Sequence, residues 1–121
     1  MSKFVIREVP SGVKFDLLAP NGQSILTSEV YLTRASCRKG IASVQKFAPG
    51  ANLEDRTEDA YLPRPNPRFE IYRDRSGLYR FRLRSRNGKI IGISQDYAAR
   101  GGCLGGVESV RKNAPEAEIT E

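Results

Sequence analysis

Residues from Lys3 to about Asp55 return as residues from Arg68 to Glu121, so any unit formed by the first stretch must form again in the second. Placing Phe15 on Phe81, an offset of 66, also superposes Leu17 on Leu83, Asn21-Gly22 on Asn87-Gly88 and Tyr31 on Tyr97. The same register carries Cys37 onto Cys103, Gly40 onto Gly106 and Ala48-Pro49 onto Ala114-Pro115. Ahead of Phe15 the offset is 65, matching Phe4 with Phe69 and Ile6 with Ile71, so one residue was gained or lost near Leu78.

Each copy opens with alternating apolar residues, Phe4 and Ile6 or Phe69 and Ile71, the period of a strand with one buried face. A Ser-Gly turn leads to a second alternation, Val13, Phe15 and Leu17, matched by Tyr79, Phe81 and Leu83. Asn-Gly then favours a tight two-residue hairpin turn, which predicts third strands over Ile25 to Ser28 and Ile91 to Ser94. In the first copy Pro20 interrupts the second strand. Beyond Tyr31 the spacing changes to Cys37, Ile41 and Val44, repeated by Cys103, Val107 and Val110, which is the buried stripe of a helix. Thr33 is its expected N-cap, and the two Ala-Pro pairs end the helices because proline lacks the amide donor. Brief fourth strands are expected over Ala51 to Asp55 and Ala117 to Glu121.

A unit of roughly 55 residues buries a small fraction of its surface, so two units are expected to share one sheet and fold together. The expected organisation is 1–55 and 68–121 as the two copies, joined by 56–67, where Pro63, Pro65 and Pro67 disfavour helix and interior strand. Tyr61 and Leu62 are expected to pack from that joint onto the domain.

The sequence has no histidine, which removes the commonest general base and transition-metal ligand, and catalysis is not expected. No cofactor is expected. The two cysteines fall on the buried helix stripes and read as core residues rather than as a disulfide or metal pair. No apolar run has the length of a membrane span, and no secretory signal is recognisable, so a cytoplasmic location is expected, and a monomer is expected because each unit's partner already lies within the chain. Gly101-Gly102 and Gly105-Gly106 match neither glycine fingerprint of nucleotide-binding loops. Gly106 alone has a glycine counterpart, consistent with close packing of the helix. Ser28 with Tyr31, and Ser94 with Tyr97, stand at the strand-to-helix corners, where a hydroxyl is expected to satisfy a helix N-terminal amide.

The second copy carries a pattern that is specific. Phe69-Glu70-Ile71-Tyr72, Tyr79-Arg80-Phe81-Arg82-Leu83, Asn87-Gly88 and above all Gly106-Val107-Glu108-Ser109-Val110-Arg111-Lys112-Asn113-Ala114-Pro115 resemble the YegP-like family. These are small bacterial and archaeal proteins with this unit singly or in tandem. The first copy departs from the pattern at Phe47, where the family usually has asparagine. The resemblance implies an α+β fold of two tandem β-β-β-α-β units, forming one continuous antiparallel sheet with two helices on one face. It further implies that the C-terminal strands are exchanged between units, and it supplies neither a biochemical function nor catalytic residues.

Function must therefore be sought in charge. Arg80, Arg82, Arg84 and Arg86 alternate along one strand, so all four are expected on the face opposite Phe81 and Leu83, about 6.5 to 7 Å apart. Arg73, Arg75 and Lys89 are near in sequence, and Tyr72 offers a ring for stacking. A net charge of +6 agrees with a polyanionic partner. The first copy has Lys14, Asp16, Leu18 and Pro20 at the four arginine positions, so the fold does not require the stripe. One reading is nucleic-acid binding through these eight residues, although an RNA-recognition sheet normally presents more than one exposed ring. Another is an interaction with an acidic protein through the same face or the proline-rich joint. A third is a merely solvated face, with arginines paired to Glu70, Asp74 and other acids on adjacent strands.

Overall fold

The computed structural model describes residues 1–121 and contains eight strands and two helices in a single α+β unit. In the first copy β1 (Lys3–Val9), β2 (Gly12–Leu18) and β3 (Ser24–Thr27) form an antiparallel meander, followed by α1 (Arg34–Phe47) and β4 (Asn52–Asp55). The second copy repeats this as β5 (Arg68–Arg73), β6 (Tyr79–Arg84), β7 (Ile90–Ile93), α2 (Arg100–Asn113) and β8 (Glu118–Thr120). No helix is long and apolar enough to cross a membrane.

Sheet order is β4-β5-β6-β7-β3-β2-β1-β8. The last strand of each copy thus borders the first strand of the other, β4 on β5 and β8 on β1. The exchange agrees with expectation, but both edge ladders are parallel, so an antiparallel centre has parallel margins. The reason is topological: each helix carries the chain across the sheet before the exchanged strand is laid down. At the seam, β3 meets β7 through a single register pair, Thr27 with Ile93. So short a ladder does not by itself unite the halves. Each helix also reaches the other copy's central strand, α1 to β7 and α2 to β3.

All the large inward side chains enter one core. Phe4, Phe15, Phe69 and Phe81 are fully buried with Ile41, Ile71, Leu17, Leu26 and Leu83. The two copies repeat their ring geometry: Phe4 meets Phe15 edge-on at 5.6 Å, and Phe69 meets Phe81 at 5.8 Å. Cys37 and Cys103 lie unpaired and buried in this core. Burial pushes the Cys103 thiol up to about 11 and raises that of Cys37 as well.

Three local expectations change, those for the hairpin loop, for Pro20 and for the serine hydroxyls, and one holds. The hairpin loop is longer than two residues: Gly22 donates to the Ala19 carbonyl at 2.8 Å, which closes a β-turn around Pro20 and Asn21. Pro20 therefore sits at a turn position that suits its fixed φ, outside the strand, while Gly22 supplies the left-handed residue at φ 85°. The hydroxyls of Ser28 and Ser94 accept from the strand amides of Phe15 and Phe81, at 2.9 and 2.8 Å, rather than from helix termini. Thr33 does cap α1, accepting from the Ser36 amide at 3.0 Å, whereas Ala99 before α2 has no side chain able to do so.

Candidate functional site

Alternation along β5 sends Phe69 and Ile71 into the core, so Arg68, Glu70 and Tyr72 emerge on the helix-free face. Across the ladder with β6 they meet Arg84, Arg82 and Arg80 respectively. On the other side β4 sets Glu54 beside Glu70. Two carboxylates directly paired across a ladder repel one another, and both are buried, at 1% and 0% exposure. Such an arrangement stands only if cations close around it.

They do. Arg82 Nε donates to Glu70 Oε1 at 2.5 Å, and Arg84 Nε lies 2.9 Å from the same oxygen. Arg68 donates to Glu70 Oε2 through Nε at 2.8 Å, with its Nη2 at 2.6 Å. Arg56, just past β4, bridges both acids, with Nε 2.5 Å from Glu54 and Nη2 3.3 Å from Glu70. The joint between the copies completes the cover: the Arg64 amide donates to Glu54 Oε1 at 2.8 Å, and Arg68 Nη1 donates to the Arg64 carbonyl at 3.0 Å. Burial pushes the Glu70 carboxyl up, but the guanidiniums of Arg82, Arg68 and Arg84 outweigh it and hold it at about 2.

Four arginines thus surround two carboxylates, leaving a formal excess of two positive charges. The guanidinium of Arg82 stacks 4.5 Å from the Tyr72 ring centroid and that of Arg56 lies 4.9 Å from Tyr61. Tyr61 stays 37% exposed and meets the domain through this Arg56 contact, and Leu62 stays 68% exposed, so neither joins the core.

The eight residues singled out by sequence do not form one patch. Arg80 belongs to a neighbouring cluster, donating to Asp74 at 2.9 Å with Asp96 at 3.5 Å. The Arg80 hydrogen bond lowers the Asp74 carboxyl from its ordinary range. Arg73 and Arg75 lie at the β5–β6 turn, where Arg73 caps the Gly77 carbonyl at 3.1 Å and covers the Tyr79 ring. Arg86 and Lys89 are at the opposite turn. Arg86 does not continue the stripe, because β6 ends at Arg84 after a register shift beyond Leu83, and its guanidinium instead lies 5.8 Å from the Phe47 ring of α1. The residues that sequence reasoning missed are Glu54, Arg56, Arg64 and Arg68. Their signal was present as i, i+2 pairs on strand faces, Glu54 with Arg56 and Arg68 with Glu70.

On the opposite half of the sheet Val5, Asp16 and Leu18 of the first copy stand where the second has Glu70, Arg82 and Arg84, and Thr120 of the exchanged β8 takes the place that Glu54 of β4 holds beside Glu70. Asp16 is held locally by Arg7 at 2.6 Å and Thr27 at 2.7 Å. One scaffold therefore carries a polybasic network on one half only.

A duplicated β-β-β-α-β unit closed into one sheet by strand exchange, with an arginine–carboxylate network on its open face, defines a tandem-repeat α+β domain. Residues 12–55 and 74–121 each match the family described as domain of unknown function DUF1508, and the chain belongs to that family. Among its relatives, a UPF0339 protein of Pseudomonas aeruginosa is 32% identical over 121 residues, spanning 99% of this chain and 96% of that one. A UPF0339 protein of Treponema denticola is 52% identical over 54 residues, covering 45% of this chain and 93% of its own length. The solution structure of YegP from Escherichia coli, itself described as of unknown function, superposes with a TM-score of 0.80 at 31% identity, over 98% of this chain and 90% of that one.

Proposed function

We propose that the chain is a non-catalytic binding module whose open face in the second copy engages the phosphate backbone of nucleic acid. The observation that carries this reading is the formal excess of positive charge around Glu54 and Glu70: the acids hold the arginines in place without cancelling them. The Nη groups of Arg82 make no hydrogen bond within the protein, which leaves a pre-oriented donor pair for a phosphate oxygen. Arg64 and Arg75, exposed and without an acidic partner, and half-buried Lys14 extend the basic field. The Arg82–Tyr72 and Arg56–Tyr61 stacks also favour a second reading, docking of an acidic protein, since arginine and tyrosine are prominent in interface hot spots.

The test is fluorescence anisotropy of labelled single- and double-stranded oligonucleotides at several salt concentrations. Truncating Arg82 or Arg84 would strip a buried carboxylate, so the variant is R64E/R75E/K14E, which leaves the network intact. Expected are a log-linear fall of affinity with salt and a loss of at least about tenfold in the variant. Absence of binding at low salt, or binding indifferent to the variant, overturns the nucleic-acid reading. Nuclease-resistant one-to-one association with an acidic protein, abolished by the same variant, would favour the second.

A further inference from the structure

The helix-covered side holds a separate feature. Between α1 and the β6–β7 turn runs a groove of about 920 Å³, within the range of small-molecule sites. Lys39 of α1 approaches it from one wall, and Arg86 and Lys89 of the turn from the other. None of the three makes an ion pair within the protein. Phe47 supplies an aromatic wall, Ser43 and Asn87 supply hydrogen-bonding groups, and Glu29 is the single acid.

The duplication provides an internal control. The counterparts of Lys39, Arg86 and Lys89 are Gly105, Pro20 and Gln23, and that of Phe47 is Asn113. Asn113 turns back to donate to the Ser109 carbonyl at 2.9 Å and lines no comparable cavity. Every cation of this groove, together with the Phe47 ring, is therefore missing from the equivalent place between α2 and the β2–β3 turn. The fold is satisfied without them at that equivalent place. Three unpaired cations facing one another across a cleft repel, so their convergence has an electrostatic cost that an anion between them removes. The exposed Arg86 guanidinium lies 5.8 Å from the centre of the Phe47 ring, which Lys46 Nζ also approaches, at 5.3 Å.

We propose that this groove binds a phosphorylated small molecule bearing a flat unsaturated ring, of the size and chemistry of a nucleotide. Lys39, Arg86 and Lys89 take the phosphate charge, and Phe47 takes the ring once Arg86 swings to the phosphate. Ser43 and Asn87 bond the polar edge between. The site shares no residue with the cluster around Glu70, apart from Arg84 at the margin, and stands independently of nucleic-acid binding by the open face.

Titration of the isotope-labelled full chain followed by amide NMR tests this, with adenosine triphosphate, adenosine, inorganic phosphate and a single-stranded deoxyoligonucleotide as probes. The expected result is saturable shifts at Lys39, Ser43 and Asn87 to Lys89 with the triphosphate, and at least about tenfold weaker binding of adenosine. K39S/R86S/K89S, changed only at exposed positions, should weaken the triphosphate by at least about tenfold while leaving the fold's spectrum intact. R64E/R75E/K14E should bind it like the parent chain. The proposal is overturned by no groove shifts, by inorganic phosphate binding as tightly as the triphosphate, by shifts with the oligonucleotide alone, or by a triple variant that binds unchanged.

Discussion

Leu26 occupies the space that a side chain on Gly92 would need: a methyl added to Gly92 would lie 2.6 Å from Leu26 Cγ. The two residues are counterparts in the two copies, and they meet at the seam between β3 and β7. Two identical leucines would collide there, so the duplicated sheet is closed by asymmetry at its centre. Gly92→Ala should destabilise the chain by about 1–3 kcal/mol through overpacking. Combining it with Leu26→Ala should cost less than the sum of the single changes, because each relieves the defect of the other. Urea unfolding of the four proteins checks this, and strict additivity would show that the two side chains do not compete.

Three glycines on α2 separate helix propensity from packing. Gly101 and Gly105 have open space where a methyl would go, so alanine should stabilise each by up to about 1 kcal/mol. At Gly106 the same methyl would stand 2.3 Å from Tyr97 Oη and 2.8 Å from the Phe81 ring, and the clash should outweigh the propensity gain. The glycine thus admits the tyrosine ring under the helix, as Gly40 admits Tyr31 in the other copy. Thermal melts should rise for Gly101→Ala and Gly105→Ala and fall for Gly106→Ala.

The repeat made the fold legible, because apolar period, turn residues and proline stops occur twice and each copy checks the other. The strand exchange came from the family resemblance, and the parallel margins from neither. The site was legible only in part. Alternation places Arg80, Arg82 and Arg84 on one face, but which acid each arginine meets depends on β4 lying beside β5, a contact between residues distant along the chain. Arg86 was misplaced because a bulge after Leu83 breaks the period that put it in the stripe. The groove beside Phe47 needs a helix of one copy against a turn of the other, which no local pattern contains.

Cys37 and Cys103 should be inert in the folded protein. Both are fully buried, and with the Cys103 thiol pushed up to about 11 little thiolate exists near neutral pH. Labelling with a thiol-reactive disulfide should be negligible in buffer, then reach both sulfurs in denaturant. Rapid modification of native protein with retention of fold would instead mark a reactive thiol.

Glu70 should govern stability in acid. Its folded carboxyl, at about 2, lies below the ordinary 4.5, so the unfolded chain binds the proton more tightly. The contribution is therefore complete above pH of about 4.5, shrinks as pH falls, and is gone below about 2. Its size, on the order of 3 kcal/mol at neutral pH, follows from the difference between those two values. Glu70→Gln should remove that acid-sensitive component. At neutral pH it should also destabilise the chain by about 3–5 kcal/mol, because Arg68, Arg82 and Arg84 lose the charge that gathers them. Denaturant titrations of both proteins between pH 2 and 7 provide the measurement: parent and variant curves should converge as pH falls, and parallel curves would mean that the guanidiniums are held by something other than Glu70.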